Sequence, residues 1–342
     1  MSRPHILCPV DFSNASQGAI RYAVAIAEHF GAKLTLVTVT DPLLNEAAAL
    51  RTSPSWLPER AEHELRRFFD LATGHRGSVE VALKVVTGKP APAILEEAEA
   101  GGADLIVMSS RGNSGARKFF FGATTERVLR ETTIPVLVTP AHDTGPQNLD
   151  DARKKLHHVL LPLDFMGSTS PQLDVARAIA DGLGATLLLT HVVEPLWFPT
   201  AAQPGASTRD TDKERRHRAE QSLVDAAGPA SPGRKVELLT AFGDPAEEIA
   251  KIASDRDVGL VVMGLHASPR NGPRMGSVTY RVLCLAPTLV LALPPSALPA
   301  AFQRPGAGKS AVAPEPSQLW SRTRSSAIQR GGMAVAIPQA GT

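Results

Sequence analysis

The residues with the clearest potential for chemistry lie in a loop of glycines and small polar residues that ends near Gly122. An apolar run, residues 104–108, precedes the loop and is typical of a buried parallel strand. A helical pattern begins near Gly122, and Arg111, Arg117 and Lys118 lie in the loop. The N–H groups and the dipole at the start of a helix favour an anion. The stretch therefore predicts a phosphate site, although glycines at this edge of a sheet also serve simply to allow tight turns.

The chain contains this arrangement twice. In the second copy, an apolar run at residues 259–263 leads into a loop and then into a helical pattern that opens at Gly276. Five pairs of matching residues are separated by 153–155 positions: Asp11 and Asp164, Gly31 and Gly184, Gly88 and Gly243, Met108 and Met263, and Arg127 and Arg281. An interval this regular identifies the chain as a duplication, and the two copies are called repeat one and repeat two.

An aspartate follows the first predicted strand of each repeat, at Asp11 and at Asp164. In a parallel α/β sheet the ligand lies at the carboxyl ends of the strands, which is where both side chains stand. A carboxylate there can accept hydrogen bonds from ribose hydroxyls or from an adenine amine. Aspartate also favours the start of a helix, so a helix cap is an equal alternative.

The composition is that of an ordinary globular protein, with 43% hydrophobic and 20% charged residues in 342. Cys8 lies in a predicted strand and Cys284 in a predicted helix, so we interpret both as small buried apolar side chains. This interpretation fits a protein of a reducing compartment. The first residues do not form a signal peptide, and no apolar run is long enough to span a membrane. We therefore expect a cytoplasmic protein without a membrane partner.

The net charge of +2 is unevenly distributed. The segment after residue 295 carries five basic residues and one acidic residue, so the two repeats together are slightly acidic. A nucleic-acid binder would have a basic excess on a folded domain, and this sequence excludes that class.

Strands alternate with helices in both repeats. This order predicts two tandem Rossmann-like α/β domains, each with a five-stranded parallel sheet flanked by helices. We place the domains at residues 1–141 and 156–295, with a short polar linker at 142–155. Residues 296–342 are rich in Ala, Pro, Gly, Ser and Arg, which predicts a disordered tail.

Residues 1–295 resemble two fused domains of the universal stress protein family. The resemblance rests on the Val-Asp-Phe-Ser motif at residues 10–13 and on residues 122–138, both of which repeat two echoes in order. It implies an adenine nucleotide alpha hydrolase-like fold, in a family whose members divide into ATP binders and non-binders. Binders typically carry Gly, two residues, Gly, nine residues, and then Gly followed by Ser or Thr.

Repeat one matches this motif in part. Gly112 and Gly122 have nine residues between them, as the motif requires. Ser109 replaces the first glycine and Ala123 replaces the hydroxyl residue, with Thr124 one step later.

Repeat two departs from the motif differently. It keeps Gly264, Gly276 and Ser277, but Ala267 replaces the middle glycine and the following loop is one residue short. Its loop also contains two prolines, which lack N–H donors.

The resemblance implies that Asp11 and Asp164 face the ribose or the adenine, and that the backbone near Val39 and Val192 meets the base. We predict that the chain binds ATP, with or without Mg²⁺, and that repeat one holds it through N–H groups of the loop and the helix start. The predicted role is regulation or signalling in a stress response. The alternatives are a scaffold that binds no nucleotide and a weak ATPase.

No Ser/His/Asp set, carboxylate pair or metal-ligand spacing stands out, so any enzymatic activity is expected to be no more than slow hydrolysis of bound ATP. Family dimers join along the fifth strand. The resemblance therefore implies an intramolecular pseudo-dimer in which the fifth strands, residues 134–139 and 288–293, pair with each other. An apolar strand edge left unpaired would also favour aggregation. A homodimer and a protein partner of unknown identity are further expectations.

Overall fold

The computed structural model describes residues 3–43, 56–74, 79–112, 122–165, 169–195, 208–229, 233–268, 272–274 and 276–295. The predicted disordered tail lies outside the described residues, as do Arg117 and Lys118 of the first loop and Pro269 of the second.

Repeat one alternates strands with helices, as predicted. The strands are β1 (His5–Pro9), β2 (Lys33–Thr40), β3 (Val81–Thr87), β4 (Leu105–Ser109) and β5 (Val136–Thr139). The helices are α1 (Asn14–Phe30), α2 (Trp56–Thr73), α3 (Pro90–Gly101) and α4 (Ala123–Glu131). Ser13 caps α1 by accepting from the N–H of Ser16, and Gly31 ends it with a φ of 60°, a conformation that favours glycine.

The segment predicted as a linker contains a helix, α5 (Leu149–Lys155). Asn148 caps it by accepting from the N–H of Asp151, and its last turn is basic, which suits the negative end of the helix dipole.

Repeat two follows the same series. Its strands β6 (His158–Pro162), β7 (Thr186–Val193), β8 (Val236–Phe242) and β9 (Leu260–Gly264) precede a short ribbon of β10 (His266–Ser268) and β11 (Gly272–Arg274), and β12 (Leu289–Leu293) ends the series. Its helices are α6 (Thr169–Leu183), α7 (Thr208–Ala227), α8 (Pro245–Asp255) and α9 (Ser277–Leu285). The ribbon corrects the expectation of a simple loop after β9, since β10 and β11 pair antiparallel, with His266 opposite Arg274 and Ser268 opposite Gly272.

The strands of both repeats form one sheet of ten strands, in the order β3-β2-β1-β4-β5-β12-β9-β6-β7-β8. Within each repeat the strands are parallel, whereas β5 and β12 pair antiparallel, with Val138 opposite Val290 and Val136 opposite Ala292. The predicted pairing of the two fifth strands is confirmed, and we call this antiparallel pair the seam.

Helices cover both faces of the sheet, and each face has a core that contains residues of both repeats. Leucines of β1, β4, β6 and β9 are fully or almost fully buried, as strands covered on both faces require. Cys8 is a buried thiol whose pKa is raised by burial, and Cys284 is half-buried; among the described residues, neither forms a disulfide. In the described part of the chain, none of the helices combines the length and the apolar character that a membrane span requires.

Candidate functional site

The strand order places a topological switch point in each repeat. In repeat one the chain runs outward from β1 through β2 to β3, and then crosses to β4 on the other side of β1. A crevice therefore lies between the carboxyl ends of β1 and β4, where ligands bind in open α/β sheets. Asp11 follows β1, and residues 109–112 end β4 and follow it, so both predicted groups border this crevice. The matching crevice in repeat two lies between β6 and β9.

The carboxylate of Asp11 is held by the start of α1. Its Oδ1 atom accepts from the N–H of Ser13 at 3.1 Å, from Ser13 Oγ at 2.6 Å and from Ser16 Oγ. The N–H of Asp11 donates in turn to Ser16 Oγ at 3.3 Å. The N-cap of the helix is Ser13 and not Asp11. Asp11 is exposed, and its hydrogen bonds with Ser13 and Ser16 fix the direction of its carboxylate.

The second carboxylate oxygen of Asp11 lies against Gly112. A Cβ atom built on Gly112 would stand 2.0 Å from Asp11 Oδ2, closer than any real contact. A side chain at position 112 would therefore displace the carboxylate. The fold thus brings together two predicted site residues that are about 100 positions apart in sequence.

Hydrogen bonds tie the end of β4 to the start of α4. The N–H of Gly122 donates to the carbonyl of Ser110 at 2.9 Å, and Thr125 Oγ1 donates to the carbonyl of Ser109 at 2.9 Å. Ser109 Oγ donates to the carbonyl of Arg111 at 2.7 Å. Since the N–H of Gly122 is bound within the protein, an anion at this helix start would meet the next donors in the first turn.

Those donors belong to Ala123 and Thr124, the first two residues of α4, because the first N–H groups of a helix have no helical acceptor. Gly122 itself lies close to its neighbours, since a Cβ there would stand 3.2 Å from the carbonyl oxygen of Ser110.

Val39 lies near the carboxyl end of β2, beside β1. Pro9 pairs with Val37, so continuing this register places Val39 level with Asp11. The side chain of Val39 is half-buried, and its residue pairs with Val86 of β3 on the other side. The predicted base contact and the predicted carboxylate therefore stand at the carboxyl ends of neighbouring strands, at the same edge of the sheet.

Repeat two preserves the frame of this site. Asp164 is exposed after β6, and Gly264 ends β9. Thr279 Oγ1 donates to the carbonyl of Gly264 at 3.2 Å, which is the bond that Thr125 makes in repeat one. Gly276 and Ser277 form the N-cap and first residue of α9.

The side chain of Gln172 occupies part of the crevice in repeat two. A Cβ on Gly264 would stand 1.9 Å from Gln172 Nε2, and Gln172 is only 9% exposed. Repeat one has Ala19 at the matching place in its first helix. The amide of Gln172 therefore fills space beside β9, whereas repeat one has only the methyl group of Ala19 at the matching position.

An aromatic pair stands on the base side of the crevice in repeat two. His191 Nδ1 is 2.7 Å from the carbonyl oxygen of Leu163, and its ring lies 5.0 Å from that of Phe165. Repeat one has Thr38 at the position of His191. Val192, the predicted base contact, follows His191 in β7 and is half-buried.

Among the residues that the structure describes, no three His, Cys, Asp or Glu side chains come together as a metal site.

The model of the universal stress protein family matches residues 3–140 and 155–294, which together make up most of the chain. The chain belongs to the universal stress protein family. The match occurs once in each repeat, so the recognition made from the two sequence motifs is confirmed.

Relatives of known sequence correspond to single repeats of this tandem universal stress protein. One, from Methanocaldococcus jannaschii, is 32% identical over 139 residues, which are 39% of this chain and 79% of the relative. Another, YxiE from Bacillus subtilis, is 29% identical over 143 residues, which are 39% of this chain and 96% of the relative.

Two solved structures share the fold over most of the chain. A universal stress protein from Archaeoglobus fulgidus has a TM-score of 0.57 at 18% identity and covers 86% of this chain and 99% of its own. A functionally unknown protein from Pseudomonas aeruginosa PAO1 has a TM-score of 0.56 at 16% identity, covering 96% and 98%. The predicted α/β class with tandem repeats is confirmed.

Proposed function

We propose that this universal stress protein binds ATP in the crevice of repeat one and acts as a regulatory module in a stress response. The observation that supports this most directly is the contact of Asp11 with Gly112 at the switch point. A fixed carboxylate, a strand edge and a helix start meet there, and they suit the sugar, the base and the phosphates of one nucleotide in that order.

Asp11 is the group for the ribose or the adenine amine. Its Oδ1 atom is anchored by Ser13 and Ser16, so the carboxylate is held in one orientation before a ligand arrives. A group that is already ordered loses little entropy when it binds, which favours affinity. The backbone near Val39 is the contact for the base.

The start of α4 is the group for the phosphates. Ala123 and Thr124 supply first-turn N–H groups, and the hydroxyl of Thr124 stands one residue after the position that the family motif gives to Ser or Thr. The positive end of the helix dipole adds to the attraction, and Arg111 follows β4 on the same edge. These residues fit a phosphate without requiring a dedicated metal cage.

Repeat two fits a nucleotide less well. Gln172 fills space beside Gly264, and the chain after β9 turns back as a ribbon, where repeat one continues towards a loop of full motif length. We therefore assign the nucleotide to repeat one. We also propose a cytoplasmic location, which is the compartment that the sequence predicts.

A scaffold that binds no nucleotide is the second candidate. It is favoured by the three hydrogen bonds that Asp11 Oδ1 already accepts within the protein, which leave less of the carboxylate for a ligand. Slow ATP hydrolysis ranks third, because we assign no described side chain to the role of a general base.

Calorimetric titration with ATP tests the proposal. We expect Asp11→Ala to weaken ATP binding by at least tenfold, because a hydrogen bond to a charged group contributes about 1.5–3 kcal/mol. Asp164→Ala is the matched control, since it removes the same side chain from the same place in repeat two and should leave binding within about threefold.

Equal binding by the two variants would refute the assignment to repeat one. No binding by the wild type at millimolar ATP would refute nucleotide binding altogether and leave the scaffold as the better candidate.

A further inference from the structure

An apolar groove of about 160 Å³ lies over the seam, on the face of the sheet that carries α1 and α6. Its floor is a row of leucines from the central strands: Leu105, Leu137, Leu260, Leu289, Leu291 and Leu293. These floor residues are at most 7% exposed, so the groove reaches down to the sheet itself.

The antiparallel pairing of β5 with β12 explains the groove. It sets the two repeats side by side, so that α1 and α6 form two opposite walls and the connecting helix α5 adds a third. The walls are also apolar, with half-buried Ile26 on α1 and half-buried Val175 and Ile179 on α6. The groove is therefore lined almost entirely by apolar surface and is partly open to solvent.

Arg153 and His29 stand close together at the rim of this groove. Arg153 is exposed in the last turn of α5, and His29 lies in the last turn of α1. Their closeness is reflected in His29, whose pKa is lowered by burial and then by the positive charge of Arg153. Asp104 also lines the groove, but it is buried and accepts a hydrogen bond from the N–H of His5 at 2.9 Å.

We propose that the groove binds a single-chain amphiphile with an anionic head group, of which a medium-chain carboxylate is the simplest example. Its hydrocarbon chain would lie on the leucine floor, and its carboxylate would pair with the guanidinium of Arg153. A dry cavity of about 150 Å³ lined by Leu, Ile and Phe is known to hold benzene. A groove of about 160 Å³ therefore encloses part of an alkyl chain, with the remainder along the open side.

A second copy of the protein is the alternative occupant of the groove, and the association state of the wild type tests it. The groove also lies apart from the crevice of repeat one, because Asp104 and Pro135 line it before β4 and β5 begin, whereas Asp11 and Gly112 follow their strands. The inference therefore does not depend on ATP binding.

Titration of the full chain with decanoate, hexanoate and decanol, each below its aggregation threshold, tests the proposal. We expect one decanoate per chain and at least 50-fold weaker binding of hexanoate, since each buried methylene contributes about fourfold in affinity. Decanol, which keeps the chain and lacks the charge, should bind at least tenfold more weakly than decanoate.

Variants locate the ligand. Ile179→Trp fills the groove from its wall and Gly182→Phe fills it from an exposed position on α6, and each should abolish decanoate binding. Arg153→Gln should weaken it about tenfold, whereas Arg127→Gln, a matched change at an exposed arginine of α4, should not. Circular dichroism and melting temperature show whether each variant is folded. If Ile179→Trp does not fold, Gly182→Phe still tests the proposal, because position 182 is exposed.

Three results would overturn the proposal. The first is unchanged decanoate binding by a folded groove-filling variant. The second is equal binding of decanoate and decanol, which would remove the role of the charged rim. The third is a wild-type dimer in sedimentation that both Ile179→Trp and Gly182→Phe dissociate, which would make the groove a contact between copies.

Discussion

Two phenylalanines carry backbone strain at matching places in the two crevices. Phe12 and Phe165, which follow the two aspartates, have φ angles of 61° and 57°. A left-handed conformation is costly for a bulky residue, by about 1–2 kcal/mol. In repeat one the ring contact of Phe12 with Phe68, at 5.5 Å between centroids, offsets part of that cost. The strained turn sends the chain from β1 into α1 directly after Asp11, so the cap residues reach back to its carboxylate.

Sequence alone could identify the aspartates and glycines of the crevices, because duplication made them visible. It did not identify the residues that hold them. Thr125 and Thr279 recur at the repeat interval and make the same bond, so comparison of the repeats could have found this pair. Gln172 could not be found in this way, because it replaces an alanine and its effect depends on a contact with Gly264 that only the fold creates.

Asp143, just before α5, gives a prediction about pH. Burial by itself raises the pKa of its carboxyl, but hydrogen bonds from Tyr22, from the N–H of Gly145 and from Lys155 outweigh burial and leave the pKa below its usual value. Since the depressed pKa belongs to the folded state, the stabilisation is present above the usual pKa of 3.8 and is lost as the pH falls through the folded value.

We therefore expect Asp143→Asn to lower the free energy of unfolding by about 1 kcal/mol at pH 7, a value reduced because the group is only half-buried. The difference from wild type should shrink as the pH falls below 4. Urea unfolding at several pH values measures it, and Asp150→Asn, at an exposed position in the first turn of α5, is the control. A difference that does not change between pH 7 and pH 3 would contradict this account.

At the scale of elements, the segment that connects the repeats, residues 142–155, packs against both of them. Gly18 of α1 faces its first part, since a Cβ there would stand 2.1 Å from the carbonyl oxygen of Asp143. Gly259, just before β9, faces its last part, since a Cβ there would stand 1.9 Å from the carbonyl oxygen of Lys155. One glycine from each repeat therefore holds the segment by close backbone contact. The polar composition of this segment predicted a linker, and it carries no signal for contacts this distant in sequence.

Both glycines should be intolerant of a methyl group. We expect Gly18→Ala and Gly259→Ala each to lower the free energy of unfolding by about 1–3 kcal/mol, because the clash is with backbone atoms and the backbone must shift. Gly182→Ala, at an exposed position in α6, should leave stability unchanged or slightly raised. Chemical unfolding measures all three. If Gly18→Ala left the free energy of unfolding unchanged, the connecting segment would be able to move away from α1 at little cost.

For the whole molecule, the sequence predicted the order of helices and strands well, because apolar residues recur with different periods in buried strands and in helices. The runs in β1, β4 and β9 are apolar on both faces, and Ser13 and Gly31 mark the ends of α1. The union of the repeats into one sheet was predicted from the family dimers that the resemblance implies, and from the apolar fifth strands, which favour aggregation when they are left as exposed edges. The ribbon and α5 were missed because short elements have too few residues for a period to be seen.

A shared sheet and shared cores predict that the two repeats unfold together. Val138 is 2% exposed in the seam and pairs with Val290 of the other repeat. Val138→Asp buries a charge without a partner, which costs about 3–5 kcal/mol. Native-state hydrogen exchange should therefore show an equal loss of protection in β1 and in β6, although β6 belongs to repeat two. Leu238→Asp, on the outer strand β8 where the side chain is 39% exposed, should reduce protection little in either strand. If Val138→Asp lowered protection in β1 alone, the repeats would be separate folding units joined by a seam that adds little to their stability.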